Sequence, residues 1–183
     1  MIKILHNPKT ADYLDFKRWV NSTSFEWKFN PTSTPDMNDL SKVDLPFYCH
    51  SFIKRPEQYG YPVIDNPQET HGVVEMLSQI LKQNQIPFNS FIRIAVNAVH
   101  PQKDVTASIP HVDHTFAHGN LIMYLNNAGG STFVKNEMSL NDEVHLPKED
   151  DIILFTGEHY MQTPRDKRRV ILVATMILSL IHI

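Results

Sequence analysis

Two periods of apolar and polar positions run along this chain. In the first half the longest regular stretch repeats every 3.6 residues. Between residues 68 and 84, Val73, Val74, Leu77, Ile80 and Leu81 form one stripe of a helix facing a core. Pro67 suits its first turn. Residues 10–20 predict a shorter helix, with Tyr13, Phe16 and Val20 on one face and Thr10 as N-cap. From Phe88 onward the period falls to two. Residues 91–97 put Ile92, Ile94 and Val96 on one face and Phe91, Arg93, Ala95 and Asn97 on the other. In residues 121–126, Ile122, Tyr124 and Asn126 share a face. Residues 131–135, 143–146, 152–156 and 168–178 predict further strands, as do 2–5, 25–29 and 47–53 nearer the start. The polar, proline-containing stretch 30–45 reads as a loop, and 127–130, ending in Gly129-Gly130, as a turn.

Short strands at regular spacing, preceded by helices, predict a mainly β fold: a sandwich or barrel with helices packed on one sheet. The 183 residues suit one domain, with residues 1–88 as support and substrate loops and 89–178 as the β core. Twelve prolines and six glycines agree with a turn-rich β fold. The formal net charge of −3 offers no basic surplus for nucleic acid or an anionic membrane, and the only dense basic run is Lys167-Arg168-Arg169. A single cysteine, Cys49, cannot form an intramolecular disulfide. That suits a reducing compartment, and a small half-buried residue is its simplest role. The longest apolar run, residues 170–178, is far shorter than the ~20 residues of a membrane helix. A soluble, cytoplasmic protein is the expectation.

Candidate chemistry enters with the ten histidines. His111 and Asp113 are two apart, so an extended segment points both side chains the same way, and His159 follows the predicted strand 152–156. Two imidazoles and one carboxylate on one face of an octahedron leave three positions open, the ligand set of non-haem Fe(II) oxygenases. By itself a His-x-Asp triplet decides little, since at this histidine content chance supplies one about half the time. His114, His118 and His145 read equally well as solvated loop residues.

The surrounding order of motifs is more specific. A strand (91–97), a loop, His111-Val-Asp113, Leu121-Ile-Met-Tyr-Leu-Asn126, Gly129-Gly130-Ser-Thr-Phe133, Asp151-Ile-Ile-Leu-Phe155, His159 and Arg168-Arg169-Val-Ile-Leu-Val173 follow one another. This half of the chain resembles the prolyl-4-hydroxylase-like group of Fe(II)/2-oxoglutarate-dependent dioxygenases. The resemblance implies a double-stranded β-helix, or jelly roll, with Fe(II) held by His111, Asp113 and His159 and 2-oxoglutarate as co-substrate. Ascorbate is a further cofactor it allows. It also implies hydroxylation of a small molecule, peptide or protein, with peptidyl proline or another amino-acid-like group favoured, and release of succinate and CO2.

A basic residue about ten positions after the distal histidine binds the far carboxylate of 2-oxoglutarate in that family. Arg169 is ten positions after His159, but the adjacent Arg168 is an alternative, since neighbours on a strand face opposite ways. A buried carboxylate needs a paired cation, and arginine offers a bidentate fork. Tyr124 stands where the family places a hydroxyl near the same carboxylate, though a core aromatic fits there too. Asn97 is a candidate for the other end of the co-substrate. The loop before His111 departs from the family's Tyr- and Gly-containing pattern, which affects contacts to the 1-carboxylate and substrate rather than the metal ligands. A cupin-type metal-binding jelly roll without oxygenase activity would use the same three ligands and not need Arg169. The loop 30–45 and the segment 101–110 are the candidates for lids over the site.

Overall fold

Two helices and eleven strands carry the described residues, 1–31, 45–103, 107–136, 139 and 141–179, of this computed structural model. In chain order they are β1 (Lys3–Leu5), α1 (Ala11–Val20), β2 (Lys28–Asn30), β3 (Phe47–Lys54), β4 (Val63–Ile64), α2 (Pro67–Gln83), β5 (Phe88–Val99), β6 (Gly119–Tyr124), β7 (Thr132–Val134), β8 (Glu143–His145), β9 (Ile152–Phe155), β10 (His159–Met161) and β11 (Arg169–Leu178). The large antiparallel sheet has the order β1-β9-β6-β11-β5-β3-β2, with β4 on β3. A smaller sheet, β10-β7-β8, faces it. The architecture is a jelly roll with both helices packed on one sheet.

Alternation explains why the central strands are buried on both faces. Leu121 and Met123 of β6, Ile94 and Val96 of β5, and Leu172 and Ala174 of β11 pack outward with Tyr13, Phe16, Leu77 and Ile80 of the helices. Ile122 and Tyr124 of β6, Ile153 and Phe155 of β9, and Ile171 and Val173 of β11 turn inward with Val134 of the smaller sheet. Each fully buried aliphatic side chain of this kind contributes roughly 1.5–3 kcal/mol. Helix starts follow the expected chemistry. The Thr10 hydroxyl accepts from the Tyr13 amide, and Asn66, one residue before Pro67, accepts from the Glu69 amide. Among the described residues no helix is long and apolar enough to cross a membrane.

Some local expectations shift. The strand expected at 25–29 forms only at Lys28–Asn30, because Phe25 is engaged by Trp19, Trp27 and His50 rather than by a ladder. β6 ends at Tyr124 instead of Asn126. The Asn126 amide donates to the Arg168 carbonyl and accepts from the Val170 amide, so it clasps the start of β11 on either side of Arg169. The basic run 167–169 is divided between two environments: Arg169 is buried, and Arg168 lies 5.5 Å from the Trp27 ring centre. Most of the expected loop 30–45 (residues 32–44), and residues 104–106 of the segment 101–110, lie outside the described residues, and so do those parts of the candidate lids.

Asp150 ties α1 to the turn before β9, binding Lys9, Lys17 and the Tyr13 hydroxyl. Burial pushes this carboxyl up, but hydrogen bonds from Lys17, Lys9 and Tyr13 outweigh it and bring the pKa down to about 2. A folded pKa below the unfolded value contributes stability that is present above pH ~4 and is lost as pH falls through the folded value. Asp150→Asn should therefore lower the melting temperature at pH 7. The gap from wild type should close as unfolding is followed from pH 4 down to pH 2.

Candidate metal centre

β10 begins at the distal histidine, and the segment 107–111 runs antiparallel beside it. The amide of His111 donates to the His159 carbonyl at 3.0 Å, and that of His159 to the His111 carbonyl at 2.9 Å. This pairing holds the two imidazoles 4.7 Å apart, centre to centre. Asp113, buried two residues beyond His111, brings Oδ2 to 3.6 Å from His159 Nε2. The three residues singled out in the sequence thus meet, although His111 and Asp113 are separated from His159 by β6, β7, β8 and β9.

Among the described residues, no set of three or more His, Cys, Asp or Glu side chains stands as a formed metal site. The donor chemistry of these three nonetheless fits one. His111 Nδ1 lies 2.9 Å from the Ile109 carbonyl, and His159 Nδ1 lies 3.3 Å from the Gly157 carbonyl. A carbonyl only accepts, so each Nδ1 carries a hydrogen and Nε2 is the ring nitrogen left to face a metal. This is how metal-ligating histidines are oriented. Burial pushes the His159 imidazole down to about 4, with Asp113 opposing, so it is neutral at physiological pH. Burial raises the Asp113 carboxyl, but Arg93 and Arg55 overcome that and hold it well below the usual carboxylate range.

Those two arginines were not singled out in the sequence. Arg93 donates to Asp113 Oδ1 at 2.9 Å. Arg55 donates to the same oxygen at 2.7 Å and to the Asp113 carbonyl at 3.0 Å. Oδ1 is thus taken, and Oδ2 is the oxygen left facing His159. A signal for Arg93 existed: it is a charge in the middle of a long apolar strand, on the same face as Asn97. Arg55 follows β3 and carried no local signal.

An internal cavity, lined among others by His111, Asp113, His159, Asn97, Asn120 and Met161, adjoins these donors. Arg169 faces the interior and is 1% exposed, against its outward neighbour Arg168. One terminal nitrogen donates to the Gly130 carbonyl at 2.8 Å, the other touches the Met161 sulfur, and Nε has no partner. Gly130 is itself required in this turn by its packing on residues 162–163: its φ is +80°, and a Cβ there would stand 2.6 Å from the Gln162 carbonyl oxygen. Burial lowers the Arg169 guanidinium to about 10, with Tyr124 opposing, so it keeps its charge at neutral pH. Met161 lines the cavity whereas Arg169 and Tyr124 do not, which places the guanidinium behind that thioether. Tyr124 is fully buried and pairs its hydroxyl with Thr132 at 2.7 Å, while burial raises it to about 12. Asn97 Oδ1 is buried without a partner.

The expectation of solvated loop histidines fails, because His114, His118 and His145 are all buried. His114 joins Glu57 at 2.6 Å to Thr175 at 2.7 Å, directly after Asp113. His118 Nδ1 is held by the Phe116 carbonyl, and His145 lies against the Tyr124 ring. In each case tertiary packing supplies what the local pattern does not show.

No family model and no curated protein matches the sequence. Solved structures do match in three dimensions. An oxidoreductase of the 2OG-Fe(II) oxygenase family from Burkholderia pseudomallei superposes with a TM-score of 0.70 at 13% identity, over 96% of this chain and 84% of the other. The fold is that of the 2OG-Fe(II) oxygenases. A Trichoplax adhaerens prolyl hydroxylase, solved with a hypoxia inducible factor peptide, gives 0.60 at 11% identity over 96% and 83%. A Pseudomonas putida prolyl-4-hydroxylase gives 0.55 at 11% over 96% and 92%.

Proposed function

We propose that this chain is an Fe(II)- and 2-oxoglutarate-dependent dioxygenase that hydroxylates a peptidyl proline or another amino-acid-like group. The observation that carries the reading is the meeting of His111, Asp113 and His159 at one cavity, with both imidazoles turned to present Nε2. In this reading Nε2 of each histidine and Oδ2 of Asp113 hold the iron. Arg169 pairs with the far carboxylate of 2-oxoglutarate, and Tyr124 and Asn97 lie along the same interior face. Iron and 2-oxoglutarate together supply the oxidising chemistry, with succinate and CO2 as products.

The protein's own contribution is placement and exclusion of water. Arg55 and Arg93 fix Asp113 by occupying Oδ1, which leaves one oxygen for the metal. Ile122, Phe155, Ile171 and Val173 line an apolar interior around the donors, where charge interactions are stronger than in water. A groove of about 550 Å³ shares Phe47, Arg55 and Arg93 with the cavity and is the route by which a substrate side chain would reach it. Its bordering Tyr59 and Lys54 suit an extended polar chain.

Anaerobic addition of Fe(II) and then 2-oxoglutarate to the protein should produce the weak visible charge-transfer band of a chelate at a facial-triad iron. The band should vanish in His111→Ala. Iron binding without a band on adding 2-oxoglutarate would instead indicate a cupin-like metal protein, and no iron binding would remove the metal centre altogether.

A further inference from the structure

The two helices leave a groove between them that the chemistry above does not use. It has a volume of about 510 Å³ and lies on the outer side of the large sheet, across from the metal donors. Phe16 and Trp19 of α1 and Val73 and Met76 of α2 form its apolar floor. Asp12 and Asp15 of α1 and Glu69 and Glu75 of α2 stand around it, and among the described residues no lysine or arginine lines it. Arg18 pairs with Asp15, and the His50 ring with Glu69 at 3.2 Å. Asp12 and Glu75 are exposed.

Gly72 is the second observation. It lines the groove from the interior of α2, is exposed, and a Cβ there would meet nothing within 4 Å. Glycine weakens a helix interior relative to alanine, and no positive φ or close neighbour within this chain calls for it here. A glycine at an open position is what lets another backbone approach closely.

The shape and charge of the groove select the occupant. It spans residues 12–19 of one helix and 68–76 of the other, two turns of each, or about 10–12 Å at ~1.5 Å per residue. An apolar floor of that length between two helices fits the apolar stripe of a third. The carboxylates around it favour lysine and arginine beside that stripe. The same carboxylates oppose a second copy of this chain, which would set like charge against like, and an anionic bilayer.

We propose that the α1–α2 groove docks a cationic amphipathic helix of a partner protein. Its apolar stripe lies on Trp19, Val73 and Met76, and its backbone comes closest at Gly72. The proposal does not rest on the oxygenase reading. A helix docked across the sheet from the cavity tethers the protein to its partner and leaves the cavity open.

The probe is a leucine/lysine peptide of about 14 residues whose apolar positions follow the helical period. The control has the same composition with leucine and lysine alternating, so it carries the same charge without a helical apolar face. Binding is measured by calorimetry and located by amide chemical-shift changes. The helical peptide should bind and move the amides of α1 and α2, not those of β7, β8 and β10. The control should bind about 10-fold more weakly or worse. Gly72→Leu fills the groove from an exposed helical position. Its melting temperature should match or exceed that of wild type, while its affinity for the helical peptide falls about 10-fold or more. The triple variant Asp12→Asn, Asp15→Asn, Glu75→Gln leaves the floor intact and tests the charges separately. It should bind the peptide roughly 3- to 10-fold more weakly at low salt, and the difference should close towards ~1 M salt, where exposed charges are screened. No binding of the helical peptide would overturn the proposal. So would equal affinity for the two peptides or wild-type affinity in Gly72→Leu, since either would reduce the contact to charge alone. Self-association of the wild-type protein that Gly72→Leu abolishes in sedimentation would overturn it by giving the groove to a second copy.

Discussion

Asp113→Ala should abolish metal binding and destabilise the protein, whereas His159→Ala should abolish metal binding and leave the fold nearly unchanged. The two residues are both buried and both donate to the same proposed ion, so on ligand count alone they would behave alike. Their surroundings differ. Asp113 is the counter-charge for Arg93 and Arg55 at 2.9 and 2.7 Å. Arg93 is deep enough that burial lowers it to about 10, with Arg55 adding to the fall and Asp113 resisting it. Removing the carboxylate leaves a buried cation without its partner, which typically costs about 3–5 kcal/mol. His159 is neutral and holds its fold contacts mainly through its backbone pairing with His111, which alanine keeps. Loss of a ligand should exceed the 10- to 100-fold loss in metal affinity typical of its outer hydrogen-bond partners. Iron titration and thermal unfolding of the metal-free variants measure the two effects separately. Equal stability of the two variants would mean that the arginines do not depend on Asp113.

Much of the fold was legible because its signals are local. The stripe Val73, Leu77, Ile80 and Leu81 needs only the period of a helix, and the buried side chains of α2 include all four. The strands from residue 88 onward were legible from alternation, although β5 extends beyond 91–97 at both ends because β3 and β11 pair along it. The meeting of His111 and His159 was not legible from spacing. It depends on the antiparallel approach of segments almost fifty residues apart, and only the order of surrounding motifs pointed to it. The arginines divided by the pleat: adjacent residues must face opposite ways, but which one faces inward is set by the Asn126 clasp and the Gly130 carbonyl, both long-range. Arg55 and the burial of His114 were invisible for the same reason. Each owes its place to partners far away in the sequence, Asp113 for Arg55 and Glu57 and Thr175 for His114, and nothing in its own neighbourhood of sequence marks it.

Arg169→Met should remove 2-oxoglutarate binding while preserving or raising the stability of the ligand-free protein. The guanidinium is almost wholly enclosed, donates to one carbonyl and rests on a thioether, and its Nε is unpartnered. A buried charge so sparsely compensated is costly, and an apolar residue of similar length is often neutral or stabilising in such a place. With a carboxylate present the balance reverses, because truncating one partner of a buried charge pair costs about 2–5 kcal/mol, or roughly 30-fold to more than 1,000-fold in affinity. Ligand linkage makes both halves measurable in one experiment. In wild type, 2-oxoglutarate added with Mn(II) should raise the melting temperature beyond the effect of Mn(II) alone. In Arg169→Met the baseline should stay level or rise, and the increment from 2-oxoglutarate should vanish. Arg169→Lys keeps the charge but loses the planar fork, so it should recover only part of the increment. A full wild-type increment in Arg169→Met would show that the co-substrate carboxylate lies elsewhere. The guanidinium would then be only a structural cation holding the Gly130 turn against the start of β11.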